Sequence, residues 1–131
     1  VTNGGNVEVT GPGSMFVVNT LAVKNGGTVI SHVQGVSGGV DVTNSLNSAL
    51  VVTNGGGIHL VVDQYVDGGL IWGLRWAGNG HAGQLAALTN PPALLTWSPS
   101  SANGHVRIYT NSTHTMVGFA TSLEGSVFRI R

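Results

Sequence analysis

Five acids and five histidines carry nearly all the reactive chemistry available to this sequence. The acids are Glu8, Asp41, Asp63, Asp67 and Glu124. A polysaccharide-cleaving site needs two carboxylates on one face, and a calcium site needs a cluster of oxygens. Asp63 and Asp67 are the close pair, but they flank a predicted corner, so they read as turn and solubility residues. Toxin-type calcium repeats carry an Asp after the glycines of each turn. Asn6, Thr28 and Gly57 stand in those places instead.

The histidines are His32, His59, His81, His105 and His114, with neither HxH nor HExxH spacing among them. His59 alternates with Ile58 and Leu60 and is expected to face solvent. His105 and His114 flank a predicted hairpin, yet two imidazoles without a third ligand do not make a zinc site. Ser14 and Ser31 offer His32 a partner on paper, but no nucleophile-elbow context or orienting acid accompanies them. The absence of cysteine excludes disulfides, thiolate metal sites and a cysteine nucleophile. The reading is of no catalytic residue, no cofactor and no metal.

Trp72, Trp76 and Trp97 are the candidate binding residues. An exposed indole offers a sugar ring an apolar face and an N–H donor. Trp72 and Trp76, with Arg75 and Asn79 nearby, could form such a platform. Their strict alternation with Leu70 and Leu74 points the other way, into a core face. Asn111-Ser112-Thr113 fits the N-glycosylation pattern, which is common and matters only in a lineage that uses it.

The elements that must position these residues are mostly strands. The sequence has 131 residues, 5 basic and 5 acidic, with 8% charged against roughly 25% in an ordinary globular protein. No basic field exists for nucleic acid or anionic lipid, and little charge opposes self-association. No apolar run reaches the length of a membrane-spanning helix.

An Asn-Gly-Gly corner occurs three times: Asn3-Gly4-Gly5, Asn25-Gly26-Gly27 and Asn54-Gly55-Gly56. Each follows a valine and a polar residue and precedes any residue and then an aliphatic one. Short alternating strands fill the intervals, at Val7/Val9, Phe16/Val18, Leu21/Val23, Val40/Val42, Leu50/Val52 and Ile58/Leu60/Val62. Recurring corners between such strands predict an all-β, right-handed parallel β-solenoid of about three coils over residues 1–62. An antiparallel β-sandwich or jelly roll is the alternative. Asparagines at equivalent corners could form an amide ladder, or serve because Asn tolerates the left-handed region.

Residues 63–131 read as a tryptophan-rich capping segment packed with the repeats as one domain. Asn79 is the expected cap of a short helix over HAGQLAALT, ended by Asn90-Pro91-Pro92. Residues 105–120 read as a hairpin around Thr110-Asn111-Ser112-Thr113, and SVFRIR as a last strand.

Residues 5–29, GNVEVTGPGSMFVVNTLAVKNGGTV, resemble repeats of type V autotransporter passengers and of PEP-CTERM-associated bacterial surface proteins. The match lies on Val7, Val9, Gly11, Gly13, Ser14, Leu21, Val23, Gly26 and Gly27. In the second copy, Asn44-Ser45-Leu46-Asn47 replaces Gly-Pro-Gly-Ser. The stretches WGLRWAGNGHAGQLAAL and THTMVGFA are similar to C-terminal segments of PEP-CTERM-type proteins, without the Pro-Glu-Pro sorting signal. The resemblance implies an extracellular or cell-surface β-helical protein with a structural or adhesive role and no catalytic residues. The chain opens on Val1 inside a repeat, as in a processed product or fragment. The expectation is a non-enzymatic protein whose copies dock head-to-tail or laterally into a fibre or layer, with Ser126 to Ile130 as the complementary strand. The alternative is a polysaccharide-binding adhesin or phage-type fibre module using the three tryptophans.

Overall fold

The computed structural model describes residues 1–53, 55–64, 70–98 and 104–121. Short segments form eleven strands among the described residues: β1 (Asn6–Val9), β2 (Met15–Val18), β3 (Leu21–Val23), β4 (Thr28–Gln34), β5 (Gly39–Val42), β6 (Leu50–Val52), β7 (Gly57–Gln64), β8 (Leu70–Ala77), β9 (Leu95–Ser98), β10 (Gly104–Thr110) and β11 (His114–Thr121). The valine-bearing β3, β4 and β6 show alternating burial. A 3-10 turn covers Asn47–Ala49, and an α-helix, α1, covers Ala82–Leu88. Its N-cap is His81 rather than Asn79, and no side-chain cap bond forms there.

The strands form a four-stranded sheet in the order β1-β4-β7-β9, a five-stranded sheet in the order β10-β11-β8-β5-β2, and a two-stranded sheet of β3 and β6. The parallel solenoid expected from the repeats is corrected here. The sheets are mixed, because β11 pairs antiparallel with β8 and β10 antiparallel with β11. The other six pairings among the described residues are parallel. A sandwich-like arrangement fits, although its sheets are not the uniformly antiparallel ones of the alternative reading. The physical reason is local: the verbatim corners end at residue 56, and the hairpin of β10 and β11 adds to β8 instead of repeating the earlier path. Within residues 63–131, β8 and β9 extend sheets begun by residues 6–62.

The core lies between the sheets. Val29 and Val33 of β4, Ile58 and Leu60 of β7, and Leu74 and Trp76 of β8 are buried in one cluster. Each such side chain contributes roughly 1.5–3 kcal/mol through removal from water. The four- and five-stranded sheets also meet through a buried hydrogen bond, Ser31 Oγ donating to Gly73 O at 3.0 Å.

The corners stack. Asn3 and Asn25 sit at φ 53° and 54°, followed by Gly4 and Gly26 at 76° and 81°. Positive φ at both central residues is the type I′ pattern. Gly5 N donates to Thr2 O, Gly27 N to Lys24 O and Gly56 N to Thr53 O, closing the three turns at 2.9–3.0 Å. Successive corners are joined by Thr28 N donating to Gly5 O at 2.9 Å and Gly57 N to Gly27 O at 3.0 Å. The second glycine of a corner is a packing requirement: a Cβ on Gly27 would fall on Val1 O, and one on Gly56 on Val23 O. The proposed amide ladder is not made between Asn3 and Asn25, since Asn25 Nδ2 donates to Thr2 Oγ1 at 3.3 Å. Asn54 lies outside the described residues.

Candidate functional site

Aligning the corners brings residues of β1, β4, β7 and β9 side by side. Glu8 pairs with Ile30, Ile30 with His59 and His59 with Thr96. Inward positions such as Val29, Ser31 and Val33 are buried, so Glu8, Ile30, His32 and Gln34 share the outer face with His59, Val61 and Asp63. On that face His32 bridges two carboxylates. Its Nε2 lies 2.6 Å from Glu8 Oε2 and its Nδ1 3.0 Å from Asp63 Oδ2. Gln34 Nε2 donates to the same Asp63 oxygen at 3.2 Å. Beside it, His59 contacts Thr96 Oγ1 at 2.7 Å and Ser98 Oγ at 2.8 Å.

Carboxylates only accept, so satisfying both His32 bonds requires both ring nitrogens to carry hydrogen. Burial lowers the pKa of His32, but hydrogen bonds to Glu8 and Asp63 and the charges of both outweigh it, leaving the pKa raised above 6.5. A raised folded-state pKa contributes stability that is complete below the unfolded value and is lost as pH rises through the folded value. Thermal melts from pH 5.5 to 8.5 are therefore expected to show a falling Tm above about 6.5, a slope that His32→Gln removes. The effect is modest and weakens with salt, because Glu8 is 55% exposed.

The bridge uses both imidazole nitrogens, which leaves none to ligate a metal. Among the described residues no group of three His, Asp or Glu side chains is placed to hold one. Ser31 is buried on the opposite side of β4 from His32, so the serine–histidine pairing is not made. Asp67, the other half of the predicted carboxylate pair, and Glu124 lie outside the described residues. His114 Nδ1 meets its neighbour Thr113 Oγ1 at 2.7 Å, and Asn111 Oδ1 accepts from the Thr113 and His114 amides at 2.8 Å.

The three tryptophans go to different places. Leu74 pairs with Val117 but Trp72 with Gly118, leaving Gly73 as an extra residue in β8. This bulge breaks the expected alternation of Leu70, Trp72, Leu74 and Trp76. Trp76 is 1% exposed, donates from Nε1 to Asn44 O at 3.1 Å and stacks on His81 at 3.7 Å. The indole is on the core face and has no free face for a sugar ring. Trp97, beside Leu60 on the edge strand β9, packs against the core. Trp72 is half-buried with the Arg75 guanidinium 4.5 Å from its ring centroid. Arg75 in turn donates to both oxygens of Asp41, at 3.2 and 2.9 Å.

The remaining surface of note is a row of open edges. The segment 6–18 supplies β1 and β2, each the last strand of its sheet with no further partner among the described residues. The outer side of β3 is instead taken by Val1, whose N donates to Ala22 O at 2.7 Å and whose O accepts from Lys24 N at 3.0 Å. On β2, Met15 is 42% and Val17 57% exposed. No residue from Val9 to Val23 is charged. No helix is long and apolar enough to cross a membrane among the described residues. Comparison of the chain with protein-family models, curated proteins and solved structures gives no match.

Proposed function

We propose that this chain is a non-enzymatic structural protein of an extracellular or cell-surface layer, and that it associates with copies of itself by strand addition. The observation that carries this reading is the uncharged segment 9–23, within the stretch whose β1 and β2 leave an edge of the four- and five-stranded sheets open among the described residues. Open edges present unpaired N–H and C=O groups, and natural proteins ordinarily protect them with charge, proline or a covering element. Here Pro12 lies between strands, and the nearest charges are Glu8 and Lys24. The surface location rests on the resemblance of residues 5–29 to bacterial surface repeats. Sedimentation velocity with negative-stain imaging over a hundredfold concentration range tests the reading. Assembly that grows with concentration is expected; dispersed monomers throughout would overturn it.

A second reading is favoured by Trp72 alone of the three tryptophans. Its half-buried ring, held on one face by the Asp41-paired Arg75, offers a stacking surface to a sugar ring. Polysaccharide binding lost in Trp72→Ala, with the melting curve kept, would favour that adhesin reading.

A further inference from the structure

We propose that the partner at the open edge is a second copy related by a two-fold axis, with β2 pairing antiparallel to β2 of that copy around Phe16. The inference rests on the self-association proposed above and names its geometry. Gly39 N and Thr43 N donate, each at 2.8 Å, to Ser14 O and Val18 O, so these carbonyls point toward β5. Backbone groups alternate sides along a strand, so those of Met15 and Val17 point away from the sheet. These are the residues an incoming strand must bond.

An antiparallel partner centred on Phe16 sets Met15 opposite Val17 of the second copy, and Val17 opposite its Met15. Each of these two pairs exchanges both backbone hydrogen bonds, as a narrow antiparallel pair does. Phe16, half-buried and packed on the core from the open end, faces its own counterpart across the axis. The exposed side chains of Met15 and Val17 cover each other. No like charges oppose this self-pairing, because 9–23 carries none.

The expected head-to-tail union is the poorer match. One continuous segment forms the open end, whereas the far edges are β9, β10 and β6, in sheets of four, five and two strands. An end whose two open edges, β1 and β2, are supplied by adjacent strands complements itself better than a stepped one. A two-fold contact of this kind is isologous and closed.

The chain has no cysteine, so introduced thiols report the register directly. Directly opposed residues lie about 5.5 Å apart between Cα atoms, within disulfide range, whereas identical residues in the two copies are diagonal neighbours about 7–8 Å apart. An oxidised mixture of Met15→Cys and Val17→Cys chains is expected to give disulfide-linked dimer about tenfold faster than either variant alone. Val17→Lys is expected to weaken association of the otherwise unaltered chain by at least about tenfold, the equivalent of ~1.4 kcal/mol, without changing its far-UV circular dichroism. Equal cross-linking in the mixture and the single variants, with the parent chain associated by sedimentation, overturns the two-fold register but leaves self-association standing. A parent chain monomeric at every concentration overturns both.

Discussion

Trp76→Ala is expected to lower the free energy of unfolding by about 3–5 kcal/mol, the range for emptying a buried aromatic site. Trp76 is 1% exposed, and alanine there removes the indole stacked at 3.7 Å on His81. It also deprives Asn44 O of its Nε1 donor at 3.1 Å. Trp72→Ala, at a half-buried ring, is expected to cost only about 1 kcal/mol. Urea unfolding of both variants checks the contrast. Equal losses would contradict the separation of the two indoles by the bulge at Gly73 and restore the single-face reading.

Gly56→Ala is expected to cost about 2–3 kcal/mol, from overpacking against backbone that cannot withdraw. A Cβ at this position would fall on Val23 O and stand 2.6 Å from Val23 C. Both atoms belong to the strand end that leads into the preceding corner. For a chain of this length the loss corresponds to a fall in Tm of roughly 10 °C. Gly83 provides the comparison, because a Cβ there meets nothing within 4 Å and α1 contains it. Gly83→Ala is expected to stabilise by roughly 0.5–1 kcal/mol. Differential scanning calorimetry of the pair separates a packing requirement from a general intolerance of alanine; a Gly56→Ala chain as stable as the parent would refute the stacking of the corners.

How far the sequence carries is clearest on the outer face of β4. Glu8, Ile30 and His59 each stand five residues beyond a corner asparagine, and the observed pairing puts them in one row. Aligning the corners therefore contains the register, and with it the approach of Glu8 and Asp63 to His32. That cluster was missed because proximity along the chain drew attention to Asp63 and Asp67, while the true partners are 24 and 31 residues from His32. The repeat could not reveal the antiparallel addition of β11 to β8, since nothing in residues 1–62 marks where stacking stops. The bulge at Gly73 was equally hidden. One extra residue exchanges the faces of everything beyond it, and a pattern of alternating Leu and Trp reads the same whether or not the strand is continuous. Likewise His81, 3% exposed, carries no local sign that it closes the space over Trp76.

The central claim is that association occurs by pairing at the segment 6–23, and amide hydrogen exchange at two protein concentrations tests it most directly. At high dilution the outward amides of Met15 and Val17, which have no partner among the described residues, should exchange fast. On concentrating the sample, the account expects protection to rise at 6–23 while the hairpin of β10 and β11 stays unchanged. Association that protects the hairpin and leaves Met15 and Val17 exchanging as before would contradict it.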